Sequence, residues 1–410
     1  MPLISLVYGS YCRSEPFVAE LERRSGYRRL EESDWIAAAA DACGFAAEKL
    51  SRVLTGKTSI FNAFTHEMER SVACLRLALA ERLTEEGLLL CGRMAYLVPK
   101  TVTHVLRVCL IADRKFRAEV ASRERGVDAK EALRILQKDD EALAAWVKAA
   151  AGDTDPWSPA HHDILLPTDK TTPEAAGNLI LQHLESPAVK PTEDSRRAAA
   201  DFLLAARVET ALANEGHTVT VAAADGVVEI TINKYVLMLS RLEEELKTIA
   251  RTVPGVRDVR TRVGKDFHQA DVYRRFDFNL PSKILLVDDE REFAQTLSER
   301  LLMRDMGSAV AYDGESALAM LQEDEPEVMI LDLKMPGIDG IEVLRRVKQT
   351  RPEIEVIILT GHGTEADRVT CMALGAFAYL NKPVDIEVLT ETLRQAKEKM
   401  RQNLAARRST

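Results

Sequence analysis

Residues 283 to 403 contain five successive rounds of an apolar strand followed by a helical pattern, and this repetition constrains the fold more than any other feature. The strands are KILLV, SAVAY, EVMIL, IEVIIL and AFAYL. Regular strand–helix alternation predicts a doubly wound parallel sheet with helices on both faces. In such sheets the reactive side chains collect beyond the carboxyl ends of the strands, where the strand order reverses.

Carboxylates, a hydroxyl and an amine fall at four of these strand ends. Asp288 and Asp289 follow the first strand, Asp332 the third, Thr360 ends the fourth, and Lys382 follows the fifth. Clustered carboxylates repel by several kcal/mol per pair at ~4 Å and an effective dielectric near 20. A hard cation removes that repulsion, and Mg²⁺ prefers carboxylates, waters and phosphate oxygens. A carboxylate beside such a metal can attack a phosphoryl group, whose oxygens Lys382 and Thr360 would contact.

The motifs LLVDDE, MILDLKMPGIDG, IILTGHG and AYLNKP resemble the receiver domain of two-component response regulators in order and spacing. The resemblance covers residues 283 to about 400 and implies a flavodoxin-like (βα)5 fold with strand order 2-1-3-4-5. It implies that a sensor histidine kinase or a histidine phosphotransfer protein phosphorylates Asp332. It also implies that Mg²⁺ is bound by Asp288, Asp289, Asp332 and the backbone carbonyl of Lys334.

The same resemblance implies a two-state switch. Thr360 and Tyr379 match the family's switch pair, in which the hydroxyl moves toward the phosphoryl group and the aromatic ring turns inward. The Lys382–Pro383 bond is cis in the family, which an X-Pro bond tolerates. The resemblance leaves open a homodimer through this domain and names no output partner. Only AARRST follows the last expected helix at 385–404, so we expect no DNA-binding domain after the receiver.

Residues 1 to 188 alternate short strands with helices, which predicts a second α/β domain. We expect strands at 3–7, 87–91 and 105–111, and helices over 35–54, 65–82 and 129–148. The stretch LVYGSYCRSE passes from a strand through Gly9 and Ser10 into a helix, the arrangement of a phosphate-binding loop. The GKTS within LTGKTSIF lies between helical patterns, so we interpret it as a chance match.

These residues also resemble the cytidylate-kinase-like family of P-loop proteins, through YGSYCR, LLLCGRMAYLV, HVLRVCLIADRKFR and HHDILLPTDKTTPEAAGNLI. The resemblance implies nucleotide contacts by Gly9, Ser10 and Arg13. The sequence departs from the family where Tyr11 and Cys12 replace glycines, because a Cβ hinders positive φ. It also lacks the loop lysine, and KDDEALAAWV lacks the lid arginine that clamps transferring phosphate.

These departures favour a degenerate, non-catalytic kinase-like domain that serves as a binding output gated by phosphorylation of the receiver. Two alternatives stay open. The chain could be a nucleoside monophosphate kinase regulated by its receiver, or the receiver could be a phosphate sink with passive front domains.

The pattern of apolar residues over 196 to 265 predicts a small α+β domain with the order helix, two strands, helix and strand. DGVVEITI and IARTVPGVRDV resemble the BON family, whose short motif carries no catalytic residue. SPAVKPTEDS at 186–195 is rich in Pro, Ser and charge, which predicts a linker. Residues 266–282 are expected to form a second linker, which leads to the receiver at 283–403.

Composition narrows the class further. The net charge of −9, from 55 basic and 64 acidic residues, disfavours non-specific binding to nucleic acid or anionic membranes. No apolar run approaches the ~18 residues of a membrane span, and the N-terminus lacks a signal-peptide pattern. The six cysteines show no metal-ligand spacing, so we expect buried thiols in a reducing cytoplasm.

Overall fold

The computed structural model describes residues 1–55, 66–234, 236, 239–264, 281, 283–361 and 363–408. It divides into two compact units: of the described residues, 1–55 and 68–264 belong to the first unit, and 66–67 with those from 281 onward belong to the second. Apart from Pro281, the linker expected at 266–282 lies outside the described residues. The GKTS match lies outside them as well, from residue 56 on.

The first unit contains a five-stranded sheet in which all strands run parallel, in the order β2-β3-β1-β4-β5. Its strands are β1 (Leu3–Tyr8), β2 (Arg28–Leu30), β3 (Leu88–Cys91), β4 (Val105–Ile111) and β5 (Ile164–Pro167). Its helices are α1 (Glu15–Ser25), α2 (Glu32–Cys43), α3 (Ala47–Leu54), α4 (Glu67–Arg82), α5 (Arg114–Arg125), α6 (Ala129–Ala151) and α7 (Pro173–Leu184).

The long elements of this sheet agree with the sequence pattern, and two short strands were missed. The strands expected at 3–7, 87–91 and 105–111 are confirmed as β1, β3 and β4. The helix expected over 35–54 is two helices, because Gly44 takes φ 68° and ends α2. β2 has only three residues, too few for a pattern to separate it from a loop. β5 has four residues, as β3 does, and was not identified.

The segment at 186–195 is ordered, which differs from the expected linker. It contains a 3₁₀ turn at Pro187–Val189, and Thr192 caps helix α8 (Glu193–Asn214). Val189 packs into the core of the first sheet. Ser195 is buried, with its Oγ 2.6 Å from Nδ1 of His104. The middle elements are therefore packed onto the front elements within one unit.

The middle elements follow the predicted order of helix, two strands, helix and strand. After α8 come β6 (Thr220–Ala224), β7 (Val227–Ile232), α9 (Leu239–Arg251) and β8 (Asp258–Val263). β6 pairs antiparallel with β7, and β7 pairs parallel with β8. An ion pair of 2.8 Å joins Arg76 of α4 to Glu209 of α8. The BON resemblance stays a prediction.

The expectation of six thiols is wrong for two cysteines. Cys43 at the end of α2 and Cys74 in α4 form a disulfide, with their Cα atoms 6.1 Å apart. The other four cysteines are buried thiols. A separation of 31 residues carries no pairing signal, so only the packing of α2 on α4 reveals the bond.

Reducing this disulfide is expected to lower the free energy of unfolding of the first unit by about 3–4 kcal/mol, because a loop of this length gains that much chain entropy when opened. The measurement is chemical denaturation followed by tryptophan fluorescence, since Trp35, Trp146 and Trp157 all lie in this unit. Cys43→Ser should show the same loss and no further response to reductant. An unchanged unfolding midpoint on reduction would contradict the expectation.

The second unit is a five-stranded, all-parallel sheet in the order β10-β9-β11-β12-β13, which confirms the predicted 2-1-3-4-5 topology. Its strands are β9 (Ile284–Val287), β10 (Ser308–Ala311), β11 (Val328–Leu331), β12 (Glu355–Thr360) and β13 (Ala378–Asn381). Its helices are α10 (Arg291–Leu302), α11 (Gly314–Glu323), α12 (Gly340–Thr350), α13 (Glu365–Ala373) and α14 (Ile386–Arg408), the last extending beyond the expected end at 404. Among the described residues, no helix combines the length and apolar character needed to cross a membrane.

Strand register places the chemistry of the second unit at one edge. Val287, the last residue of β9, pairs with Leu331, the last residue of β11. Both strands are buried along their whole length because helices cover both faces of the sheet. The residues that follow, Asp288 and Asp332, therefore leave the sheet side by side.

Candidate functional site

Three carboxylates meet at the carboxyl edge of the second sheet. Asp288 and Asp332 are 1% and 5% exposed, whereas Asp289 is more open to solvent. The Asp332 N–H donates to the carbonyl of Val287 at 2.9 Å, which fixes Asp332 against the neighbouring strand. One carboxylate oxygen from each of the three lies within 4.8 Å of the others. The register thus gathers acids that lie far apart in sequence.

The ammonium group of Lys382 contacts two of these carboxylates. Its Nζ lies 2.7 Å from Oδ2 of Asp288 and 3.2 Å from Oδ2 of Asp332. It also lies 3.1 Å from Oε1 of Glu290 and 4.3 Å from the centre of the Phe293 ring. The Lys382–Pro383 peptide bond is cis, as the family resemblance implied.

Burial and charge act in opposite directions on the ionisable groups of the site. Burial raises the pKa of Asp288, and the hydrogen bond and charge of Lys382 reduce that rise. Burial by itself would lower the pKa of Lys382, but its hydrogen bond with Asp288 and the charges of Asp288 and Asp332 outweigh burial, so that its pKa is raised. Lys382 is therefore a fixed positive charge at neutral pH.

The two oxygens of Asp332 have different partners. Oδ1 accepts the backbone N–H of Leu333 at 2.6 Å and that of Lys334 at 3.5 Å. Oδ2 faces Lys382. The turn after β11 is closed by the Gly340 N–H, which donates to the Leu333 carbonyl at 3.1 Å. Backbone hydrogen bonds of this turn therefore orient the Asp332 carboxylate.

The donor set fits a hard divalent cation. A cavity of about 360 Å³ beside the carboxylates is lined by Asp289, Leu333, Lys334, Met335, Pro336, Asp339, Ile341 and Asp367. Asp289 and Lys334, two of the expected ligands, thus border the same space. The three carboxylates carry more charge than the Lys382 ammonium can offset, and oxygen donors with residual negative charge suit Mg²⁺.

Thr360 and Tyr379, the expected switch pair, lie together beside Gly363. Thr360 is 1% exposed. The Tyr379 hydroxyl is buried and finds no hydrogen-bond partner in the described part of the chain. A Cβ built on Gly363 would overlap this hydroxyl and lie 2.8 Å from the Thr360 methyl. The hydroxyl therefore occupies space that the glycine leaves open.

Sequence reasoning missed three residues that shape this site. Glu290 and Phe293 contact Lys382, and Gly340 approaches the backbone of Asp332. Only Glu290 left a signal, because it directly follows the acidic pair. The other two positions depend on how α10 and α12 pack at the sheet edge, which the pattern does not encode.

The loop with Gly9, Ser10 and Arg13 lies at the carboxyl end of β1, far along the chain from the acidic site and in the other unit. A Cβ at Gly9 would lie 2.6 Å from the end of the Ile111 side chain, which would have to shift to make room for it. Tyr11 takes φ 59° and Arg13 takes φ 52°. The loop thus keeps left-handed backbone at Tyr11, where a Cβ was expected to hinder it, at a cost of about 1–2 kcal/mol.

Side chains of the protein donate hydrogen bonds to two carbonyl groups of this loop. The Ser10 carbonyl accepts a hydrogen bond from Nε of Arg117 at 2.7 Å, and the Cys12 carbonyl accepts one from the Thr168 hydroxyl at 2.5 Å. Arg117 is 4% exposed and forms a bidentate pair with Asp140 at 2.7 and 3.1 Å. Burial raises the pKa of Cys12 to about 11, so its thiol is inert.

Arg117 and Asp140 were not identified from the sequence. Asp140 lies within the segment KDDEALAAWV, where the family would place its lid arginine. The buried guanidinium of Arg117 thus binds a loop carbonyl and the Asp140 carboxylate. The guanidinium of Arg13, the basic residue expected to contact a nucleotide, lies 5.8 Å from the centre of the Phe116 ring.

Comparison with protein families matches two segments. Residues 284–394 match the response regulator receiver domain, and residues 4–170 match the cytidylate kinase-like family. Both resemblances seen in the sequence are thereby confirmed at the level of these segments. Neither match extends to the residues that resemble the BON family.

Individual relatives match over a length close to that of the receiver segment. Transcriptional regulatory protein CpxR of Klebsiella pneumoniae is 44% identical over 113 residues, which are 28% of this chain and 48% of the relative. Response regulator MprA of Mycolicibacterium vanbaalenii is 34% identical over 115 residues, 28% of this chain and 50% of the relative. The chain thus spans about half the length of the curated relatives it matches.

A response regulator receiver domain protein from Clostridium thermocellum is 34% identical, covers 29% of this chain and 97% of its own, and has a TM-score of 0.29.

Proposed function

We propose, from the receiver match of residues 284–394, that this chain is a cytoplasmic phosphorelay response regulator whose Asp332 accepts a phosphoryl group from a histidine of a sensor kinase or phosphotransfer protein. The observation that carries the proposal is that the Lys382 ammonium contacts the carboxylates of both Asp288 and Asp332. Lys382 holds Asp332 and Asp288 together, with Asp289 beside them and more open to solvent. This arrangement offers one carboxylate as nucleophile and the others as cation ligands.

In the proposed reaction an oxygen of Asp332 attacks phosphorus. The P–N bond to the partner's imidazole breaks as the P–O bond to Asp332 forms, and the leaving ring nitrogen takes up a proton. Asp288, Asp289, Asp332 and the Lys334 carbonyl would hold Mg²⁺, which supplies charge neutralisation for the phosphoryl oxygens. Lys382 pairs with one of those oxygens and Thr360 donates a hydrogen bond to another.

The switch in this proposal uses Thr360 and Tyr379. When Thr360 turns toward the phosphoryl group, the space beside Gly363 and Tyr379 changes shape. Phosphorylation thereby biases a two-state surface near β13 and α13. The direct test of the proposal is Mg²⁺-dependent labelling of Asp332 by a small phosphodonor such as acetyl phosphate.

The output in this proposal is binding by the first unit. A relative named as a transcriptional regulator matches over 113 residues, 48% of its own length, so its output function does not transfer to the front of this chain. The loop at 9–13 favours a binding role over catalysis. The Arg117 guanidinium already contacts the Ser10 carbonyl and the Asp140 carboxylate, and no lysine follows Gly9 in the loop. The loop therefore lacks a lysine that could stabilise a transferring phosphoryl group.

We therefore expect the purified chain to show no nucleoside monophosphate kinase activity, with turnover at least 10³-fold below the ~1–100 s⁻¹ typical of kinases. The assay follows transfer from labelled ATP to cytidylate and other nucleoside monophosphates, with and without beryllofluoride at the receiver. Saturable turnover that Arg13→Ala abolishes would instead establish the receiver-regulated kinase.

A further inference from the structure

Three carboxylates converge on one ammonium group at the receiver site, and one of them has no role in the proposed transfer. The Lys382 Nζ lies 2.7 Å from Asp288, 3.2 Å from Asp332 and 3.1 Å from Glu290. The side chains of Asp288 and Asp332 are 2% and 6% exposed, whereas that of Glu290 is 64% exposed. Glu290 therefore reaches the ammonium from the solvent side.

The backbone of Glu290 is anchored by a hydrogen bond, and its carboxylate does not cap the helix that follows. The Glu290 N–H donates to Oδ1 of Asp288 at 3.0 Å, which anchors the residue beside the acidic pair. Glu290 stands at the N-cap of α10, but its side chain makes no capping hydrogen bond. The side chain is instead directed to Lys382, the cation that an incoming phosphoryl group must recruit.

We propose that Glu290 is a built-in competitor of the phosphoryl group for Lys382, and that it weakens the site's affinity for phosphoryl-like anions. This inference rests on the proposed function. A phosphoryl group on Asp332 would replace the Asp332–Lys382 contact and bring added negative charge to the same ammonium. The Glu290 carboxylate neutralises part of the charge of Lys382. It also repels the phosphoryl group, because the two anions would lie within a few ångströms of each other beside the same ammonium.

Glu290 acts through Lys382, so it is a positioning residue. The like-charge repulsion across a solvent-exposed site corresponds to about a 3- to 10-fold effect on anion binding. Small anionic phosphodonors carry their charge into the site and should feel this effect directly. A receiver with this residue is thereby less responsive to small phosphodonors.

The test compares the full chain with Glu290→Gln, Glu290→Asp and the control Glu292→Gln, which removes an exposed carboxylate two residues further along α10. Beryllofluoride affinity is measured by calorimetry with Mg²⁺, and phosphoryl uptake from acetyl phosphate is followed on a phosphate-affinity gel. Glu290→Gln should bind beryllofluoride and take up phosphate about 3- to 10-fold better. Glu290→Asp, which keeps the charge, and Glu292→Gln should stay within about twofold of the wild-type chain.

Two results would overturn the inference. One is a Glu290→Gln chain that binds beryllofluoride no better than the wild-type chain, and the other is an equal gain in Glu292→Gln, which would indicate general charge repulsion. Failure of the proposed function is distinct, since the wild-type chain itself would then take up no phosphate. Mg²⁺ affinity, titrated separately, should not rise in Glu290→Gln, so that the gain reports on the anion.

Discussion

Asp332→Asn is expected to abolish phosphoryl uptake from acetyl phosphate in the presence of Mg²⁺. The amide cannot act as the nucleophile, although its oxygen can still accept the Leu333 N–H that orients the side chain. The loss should be complete, because the other carboxylates of the site are ligands rather than acceptors in the proposed reaction. The measurement is intact-protein mass spectrometry, with peptide mapping to locate the added phosphate.

A matched substitution separates this effect from a general loss of charge. Asp305→Asn changes an exposed aspartate of the same unit, and asparagine tolerates its φ of 58°. This variant should be labelled like the wild-type chain. Label that persists in Asp332→Asn, or that maps to another residue, would refute the assignment of the acceptor. Chelating Mg²⁺ should abolish labelling of the wild-type chain as well.

Gly340→Ala is expected to destabilise the second unit by about 3 kcal/mol or more. A Cβ at this position would overlap the carbonyl oxygen of Asp332 and lie 2.8 Å from Cα of Leu333. Both neighbours are backbone atoms of the turn that orients the acceptor, so no flexible side chain can give way. Hydrogen exchange in peptides from β11 and α12 measures the loss, and phosphoryl uptake should fall with it.

Gly361→Ala is the control for this second prediction. Its Cβ would meet only the Lys382 side chain, at 3.8 and 3.9 Å, which is ordinary contact. We expect hydrogen exchange and phosphoryl uptake near those of the wild-type chain. Equal protection of β11 in Gly340→Ala and Gly361→Ala would show that the turn can rearrange without cost.

The sequence was most informative where regular elements end in polar residues. The alternation of strands and helices predicts the parallel sheet, and parallel strands share one carboxyl edge, so the pattern alone groups Asp288, Asp332, Thr360 and Lys382. Glu290 could not be assigned to Lys382 because a side chain that approaches from the solvent side depends on the start of α10. The distance of 3.1 Å between Oε1 of Glu290 and Nζ of Lys382 depends on how the elements pack in the folded chain.

The front of the chain was less predictable, for three physical reasons. β2 has only three residues, too few for a periodic pattern to be recognised. The Cys43–Cys74 bond joins helices whose contact depends on the tertiary fold. The pair of Arg117 and Asp140 joins α5 to α6, and each residue alone is indistinguishable from a solvated charge on a helix face.

The burial of Ser195 against His104 has a practical consequence for dividing this chain. A fragment cut between the kinase-like segment and α8 would lose the Ser195 hydroxyl, so that His104 would face solvent. It would also lose Glu209, the ion-pair partner of Arg76. Such a truncation exposes apolar surface around Val189 as well. Expression boundaries placed after residue 264 keep these contacts intact.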